Sequence, residues 1–281
     1  MPKLIDVHTH VHFAAYDTDR DMVIKRALEK GIWLINVGTQ KNTSQNAVEL
    51  AHKYEGVWAS IGLHPIHTEK SYHDSKELGS SSAGNEANGF ISREESFDYD
   101  FYKKLATDPK VVAIGECGLD YYRLTEETKH RQAEVFVKQI ELSSDIKKPL
   151  MIHCREAFHD LVDILNANRS RLNTGNPGVI HFFSGTLDDA AHLMDMGFSF
   201  SFGGVVTFAR AYEKLVKGLP LERIVLETDA PYVTPQSHRG ERNESLFVEE
   251  VAQKISRIMD KDFEEVAAQT TENAVKIFGL K

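Results

Sequence analysis

LIDVHTHVH, residues Leu4–His12, pairs an apolar run with histidines at alternate positions. Side chains at i and i+2 share a face of a β-strand. Asp6, His8, His10 and His12 thus fall on one face if the strand runs that far. Such a face is either solvated surface, packed core or a metal site, and the rest of the chain has to decide.

Working outward, short β-branched apolar runs recur along the chain. They predict strands at Leu4–His8, Trp33–Val37, Val57–Ile61, Val111–Glu116, Pro149–His153, Val179–Phe183, Phe198–Phe202 and Ile224–Asp229. Helical periodicity fills the gaps at Asp19–Lys30, Ser44–Tyr54, Asp98–Thr107, Glu126–Lys147, Ala157–Asn168, Thr186–Met196 and Phe208–Gly218. Alternating strand and helix predicts parallel βα units, and eight strands predict an α/β fold of the (β/α)8 TIM-barrel type. Two further helices, Glu244–Met259 and Asp262–Phe278, close the chain outside it. One stretch breaks the pattern: GSSSAGNEANG, Gly79–Gly89, is small and polar and predicts a flexible insertion near 70–97. No linker divides residues 1–281, so a single domain is expected.

Composition narrows the function. The chain of 281 residues carries a formal net charge of −9, which excludes a general basic surface for coating nucleic acid. A few arginines and metal ions can still bind a phosphodiester locally. Two cysteines, Cys117 and Cys154, are too few for a disulfide framework and form no C-x-x-C pair. No apolar run is long enough to span a bilayer, and no signal-peptide pattern opens the chain. A cytoplasmic protein with no membrane contact and no obligate protein partner is the expectation.

Active sites of such barrels lie at the C-terminal ends of the strands. Strand one ends in His8 and His10, strand three runs into GLHP with His64, and strand four ends at Glu116. Strands five, six and eight end at His153, His181 and Asp229. A single strand histidine is ordinarily a hydrogen-bonded core or surface residue, and a single strand-end Asp is ordinarily a turn or cap. Four of these histidines, His8, His10, His153 and His181, with the carboxylates Glu116 and Asp229 at the same ends of scattered strands are a different matter. Imidazole and carboxylate without thiolate suit zinc, manganese, iron or nickel better than magnesium. Six ligands exceed one tetrahedral ion, whereas two ions sharing a carboxylate use them all. Such a pair, roughly 3.5–4 Å apart, supports hydrolysis. No G-x-x-x-x-G-K-[ST] loop or G-x-S-x-G elbow occurs, which excludes P-loop motors and serine hydrolases. His12, past the strand, is read as having no role, and His52, His73, His159 and His192 as surface.

The motifs DVHTH (Asp6–His10), GLHP (Gly62–Pro65), GECGLDYY (Gly115–Tyr122), MIHCR (Met151–Arg155), HFFSG (His181–Gly185), ETDAPY (Glu227–Tyr232) and RGERNE (Arg239–Glu244) occur in order over nearly the whole chain. Together they resemble the TatD family of metal-dependent deoxyribonucleases, amidohydrolase-like barrels. The resemblance implies cleavage of single-stranded DNA from the 3′ end, with DNA bound transiently. It implies two divalent ions, zinc, manganese or magnesium. His8, His10, Glu116 and Asp229 would hold one, and a bridging Glu116 with His153 and His181 the other. His64 would sit beside the scissile phosphate. Phe182 and Ser245 depart from residues common in the family, cysteine and proline.

In this chemistry the two ions would supply an activated water for in-line attack at phosphorus, and Asp229 would orient or deprotonate that water. Arg155, Arg123, Arg239 and Arg242 lie in predicted mouth loops and are candidates for flanking phosphates. Tyr121, Tyr122 and Phe183 either stack on bases or fill the core. Asp6 and Glu227 are expected behind the ligands, hydrogen-bonded to ligating groups. Cys117 and Cys154, of opposite parity to their neighbours, should pack under the helices. Two other readings remain: a hydrolase of a small amide, lactone or phosphoester, and a metal-binding barrel without catalysis. Many relatives in the first class bridge their metals with a modified lysine, whereas strand four here ends in Glu116.

Overall fold

The computed structural model describes residues 1–69, 72–74, 77, 89–91, 94–122 and 126–281. Among them, eight parallel strands close into a barrel, each paired with its neighbours in sequence and the last with the first. They are β1 (Leu4–Thr9), β2 (Ile32–Val37), β3 (Val57–Ile61), β4 (Val111–Asp120), β5 (Leu150–Arg155), β6 (Gly178–Ile180), β7 (Ser199–Phe202) and β8 (Ile224–Leu226). Helices α1 (Arg20–Glu29), α2 (Lys41–Ala51), α3 (Tyr99–Leu105), α4 (Glu126–Ile146), α5 (Phe158–Ala167), α6 (Leu187–Asp195) and α7 (Ala211–Gly218) lie between strands. Helices α8 (Val248–Met259) and α9 (Phe263–Phe278) follow the last strand. The fold is the expected α/β TIM barrel. No helix among the described residues is long and apolar enough to cross a membrane.

Local chemistry starts the helices where the sequence places them. Thr186 and Asp189 form a reciprocal capping box on α6, the Asp189 N–H donating to Thr186 Oγ1 at 3.1 Å. Asp98 caps α3 by accepting the Phe101 N–H at 3.1 Å.

Two apolar layers hold the barrel. The outer one joins Leu4, Leu34, Ile61, Ile152, Ile180 and Leu226 to the helices. The inner one gathers Ile5, Val7, Ile35, Val37, Ala113, Met151, Val179 and Val225, with Ile277, Phe278 and Leu280 from the end of the chain. Each such aliphatic side chain contributes about 1.5–3 kcal/mol by leaving water.

Strict alternation fails at two places, and both matter. Against β2, β1 advances from Asp6 to Thr9 while its partner advances from Leu34 to Asn36. Against β5, β4 advances from Ile114 to Cys117 while its partner moves from Leu150 to Ile152. Each shift is one extra residue, a bulge of the kind that re-aims a side chain. The first separates the faces of Asp6 and His8. The second turns Glu116 inward, while Ile114, Cys117 and Leu119 stay in the outer layer. Around the second bulge β4 and β5 approach closely: a Cβ on Gly115 would stand 2.3 Å from the Met151 carbonyl oxygen, so only glycine fits.

Several predicted strand ends move: β1 runs on to Thr9 and β5 to Arg155. β4 continues to Asp120, β6 stops at Ile180 and β8 stops at Leu226. Asp229 lies beyond the strand with φ of +55°, in the left-handed region. Its N–H donates to the His8 carbonyl at 2.9 Å, which ties the turn back to β1. In the insertion, Tyr72–Asp74 pairs antiparallel with Gly89–Ile91. Most of the glycine-rich stretch, residues 79–88, and Arg123 lie outside the described residues.

Candidate metal centre

Glu116 is the hub of the polar end of the barrel. Its Oε1 lies 3.0 Å from His153 Nδ1, 3.0 Å from His181 Nε2 and 3.1 Å from His64 Nε2. Its Oε2 lies 3.4 Å from His8 Nε2 and 3.9 Å from His10 Nε2. Asp229 Oδ1 closes the other side, 3.4 Å from His10 Nε2 and 3.8 Å from His8 Nε2. All seven named residues expected here are thus brought together from β1 and the residue after it, β4, β5 and the turns after β3, β6 and β8. All but His8 line a cavity of about 640 Å³, a size suited to a small ligand or a terminal nucleotide.

Hydrogen-bond partners assign most of the ring nitrogens. His10 Nδ1 lies 2.7 Å from the Val37 carbonyl oxygen, which only accepts, so Nδ1 carries the proton and Nε2 keeps its lone pair. His153 Nε2 lies 3.0 Å from Asp120 Oδ2, which leaves Nδ1 as the lone-pair nitrogen facing Glu116. His181 Nδ1 faces Glu227 Oε1 at 3.4 Å, leaving its Nε2 toward Glu116. His64 differs. The Ile66 N–H donates to its Nδ1 at 3.1 Å, so in the neutral ring Nε2 carries the proton and donates toward Glu116 Oε1. His64 is a donor toward Glu116, whereas His10 and His153 are each backed by an acceptor on the side away from the centre, the usual arrangement behind a metal, and His181 has the Glu227 carboxylate on that side.

The spacing fits an ion. A tetrahedral centre with bonds of about 2.0–2.1 Å sets its donors roughly 3.3 Å apart. His8 Nε2 and His10 Nε2 are 3.2 Å apart, and His153 Nδ1 and His181 Nε2 are 3.3 Å apart. Two imidazole nitrogens facing each other that closely either share a proton or hold a cation between them. His8, His10 and Asp229 form one compact donor group, and His64, Glu116 and His153 another. Glu116 offers one oxygen to each side.

Charge follows the same geometry. Burial works against ionising Glu116, yet the charges of His64, His181 and His8 and a hydrogen bond from His153 hold its pKa well below the ordinary value. Burial likewise opposes protonating His181, and Glu227 and Glu116 outweigh it. Burial and the charge of His181 lower His8. Burial also lowers His64, against the pull of Glu116.

The surrounding expectations fare unevenly. Glu227 Oε1 stands 3.4 Å from His181 Nδ1, and the Ser201 hydroxyl donates to the same carboxylate. Asp6 does not share the face of His8. It accepts from the Thr228 N–H at 2.9 Å, the Thr228 hydroxyl at 2.6 Å and the His8 N–H at 3.3 Å, bracing β1 against the end of β8 through the backbone. Burial raises its pKa to about 7. His12 is buried, and burial lowers its pKa to about 3. His52, His159 and His192 are exposed.

Arg155 lines the cavity, and its guanidinium stacks on Tyr122 with 3.7 Å between carbon and ring centroid. Arg239 stacks on Phe208 at 4.7 Å. Arg242 is spent elsewhere: it donates to both Asp19 oxygens, at 2.9 and 2.6 Å, and to the Ala15 carbonyl, so it braces a loop instead of facing the cavity. Phe183 is fully buried against Phe158 and Phe200. Tyr121 donates to Asp160. Cys117 and Cys154 are buried free thiols in the outer layer. Sequence reasoning missed Asp120, because it ended the strand at Glu116. The signal was present: Asp120 follows Glu116 by two strand repeats and so shares its face.

Comparison with known proteins agrees with this geometry. The family model described as TatD related DNase matches residues 5–279. The Bacillus subtilis protein named uncharacterized metal-dependent hydrolase YabD is 37% identical over 280 residues, covering 99% of each chain. The Erwinia tasmaniensis protein named 3′-5′ ssDNA/RNA exonuclease TatD is 31% identical, covering 99% of this chain and all of that one (100%). The crystal structure of YJJV, a TatD homolog from Escherichia coli K12, superposes with a TM-score of 0.82 at 24% identity over 99% of both chains. The chain belongs to the TatD family of metal-dependent hydrolases.

Proposed function

We propose that this hydrolase is a deoxyribonuclease that removes nucleotides from the 3′ end of single-stranded DNA, working with two divalent ions in the cytoplasm. The observation that carries this reading is Glu116, one carboxylate with an oxygen turned to each of two donor groups. His8, His10 and Asp229 with Glu116 Oε2 would hold one ion. His153 and His181 with Glu116 Oε1 would hold the other. When bound, such ions polarise a phosphoryl oxygen and lower the pKa of water toward neutrality. The donor set favours zinc or manganese over magnesium.

The protein's own groups supply the rest. Asp229 accepts a proton from the attacking water. His64 presents Nε2–H to a non-bridging phosphate oxygen and opposes the charge that grows there. Asp120, Glu227 and the Val37 carbonyl hold three imidazoles in one tautomer and orientation. The stacked pairs Arg155–Tyr122 and Arg239–Phe208 suit an unpaired strand, joining a cation for phosphate to a ring for a base. Tyr122 and Phe208 are two of the four large apolar side chains exposed among the described residues. The names of the Erwinia relatives, which include RNA, support the same substrate class.

The test is a time course on one single strand labelled at either end, with manganese and with chelator. Release of 3′ label as mononucleotide at the outset, progressive shortening of the 5′-labelled strand, and silence without metal are expected. The cavity's size also admits a small ester, lactone or amide. Faster turnover of such a panel than of DNA would replace the nuclease reading, and bound metal with no turnover would mark a non-catalytic barrel.

A further inference from the structure

Phe13 ends the histidine-rich opening stretch and has none of the roles given above. It lines the cavity and is 2% exposed. Its N–H donates to the His10 carbonyl at 2.9 Å, a tight turn that folds the phenyl ring back onto the histidine. The two rings stack, with centroids 4.5 Å apart and planes 14° apart. His12 packs edge-on against Phe13, its centroid 4.8 Å away. One side chain holds the turn from outside. Arg20, at the start of α1, donates from Nε to the Val11 carbonyl at 2.9 Å. Its Nη2 donates to the His12 and Phe13 carbonyls at 3.0 and 2.9 Å and to Asp17 at 2.7 Å. Successive carbonyls are thus tied to one planar guanidinium, whose rigid fork an ammonium does not reproduce.

The other ligand imidazoles have different neighbours. His8 and His181 stack on each other at 3.8 Å, and His153 meets His64 edge-on at 4.4 Å. A metal ion draws electron density from the imidazole that binds it. Two such electron-poor rings face to face repel, whereas the negative face of a phenyl ring attracts one.

We infer that Phe13, clamped by Arg20, is a positioning residue that fixes the His10 ring in its ligating pose and tightens metal binding at the His8–His10–Asp229 donor group. This rests on that group holding an ion. The Val37 carbonyl fixes the direction of the His10 ring through Nδ1, but one hydrogen bond leaves the ring free to rock about that line. The phenyl face removes the rocking. The two contacts together hold His10 Nε2 at 3.2 Å from His8 Nε2 and 3.4 Å from Asp229 Oδ1. A ligand already held in its bound pose loses less freedom when the ion arrives, so the ion binds more tightly.

The experiment titrates the metal-stripped full chain with cobalt(II), read by visible absorbance, and records the melting temperature of each metal-free variant. Phe13→Leu keeps the apolar bulk and loses the flat face. It should weaken the uptake of one cobalt ion about tenfold, the lower end of what losing a ligand's outer partner costs. Phe13→Tyr keeps the face and should bind cobalt as the unmodified chain does. Arg20→Met leaves the phenyl ring in place and releases the turn, and it should weaken cobalt in the same direction as Phe13→Leu, so the inference stays testable even if the leucine variant misfolds. Unaltered affinity in Phe13→Leu overturns the inference, and so do equal losses in the leucine and tyrosine variants, which would make Phe13 a packing residue only. Unaltered affinity in Arg20→Met overturns the clamp. If the unmodified chain takes up no cobalt, the donor-group reading itself fails, whereas uptake that Phe13→Leu leaves unchanged sinks this inference alone.

Discussion

Asp120 Oδ2 stands 3.0 Å from His153 Nε2, on the far side of the ring from Glu116. The acceptor sets the tautomer of the imidazole and turns Nδ1 to the centre. Asp120→Asn replaces an acceptor with an amide that can present its NH₂ instead. Affinity for zinc or manganese should fall about 10–100-fold with the fold intact. Metal titration against a chromophoric chelator measures it, and unchanged affinity would assign the contact a purely structural role.

In the proposed mechanism Asp229 takes the proton of the attacking water. Asp229→Asn should melt near the native temperature yet lose about 10²–10⁴-fold in the rate of single-strand cleavage, the usual range for a general base. Cleavage at the unmodified rate would remove Asp229 from the mechanism.

Exhaustive chelation should abolish hydrolysis, and manganese or zinc should restore it, because His8, His10 and Asp229 form a compact donor group with the spacing of a bound ion. Full activity in metal-stripped protein, verified by elemental analysis, would sink the two-ion reading.

Arg155 lines the cavity, whereas Arg242 is paired with Asp19. Arg155→Ala should raise KM for an oligonucleotide several-fold and lower the salt dependence of log KM by about one unit of slope. A salt slope equal to that of the unmodified enzyme would deny Arg155 a phosphate contact.

Arg242→Ala should leave KM unchanged and cost up to about 1 kcal/mol of stability, since the pair is partly solvent-screened. Its hydrogen bond to Asp19 lowers the Asp19 pKa below the ordinary value. A depressed carboxylate stabilises the fold above its unfolded pKa, about 3.9, and loses that contribution as pH falls through the folded value. The stability gap between native and Arg242→Ala should thus be present at pH 6 and close below pH 4. Denaturant melts at the two pH values measure it.

Much of this molecule was legible in the chain. Apolar runs of strand length alternating with helical periodicity determine a barrel, because a parallel strand must be covered on both faces. The polar residues interrupting those runs, His8, His10, His64, Glu116, His153, His181 and Asp229, fall where strands end. Residue type and order alone therefore collected the centre.

What the chain left open is which way particular side chains face. Alternation placed Asp6 with His8, and the bulge in β1 puts them on opposite sides. Alternation carried no hint that β4 gains a residue at Gly115–Glu116, although that is what brings Glu116 inward while Cys117 keeps its outer place. The role of Arg242 was equally hidden, because Asp19 is remote in sequence and meets it only across the folded loops. Glu77 lines the cavity from an insertion whose composition reads as plain loop. Periodicity reports the mean geometry of a strand. A bulge, an ion pair across loops or an inserted wall arises from contacts between distant segments, and only the closed barrel brings those together.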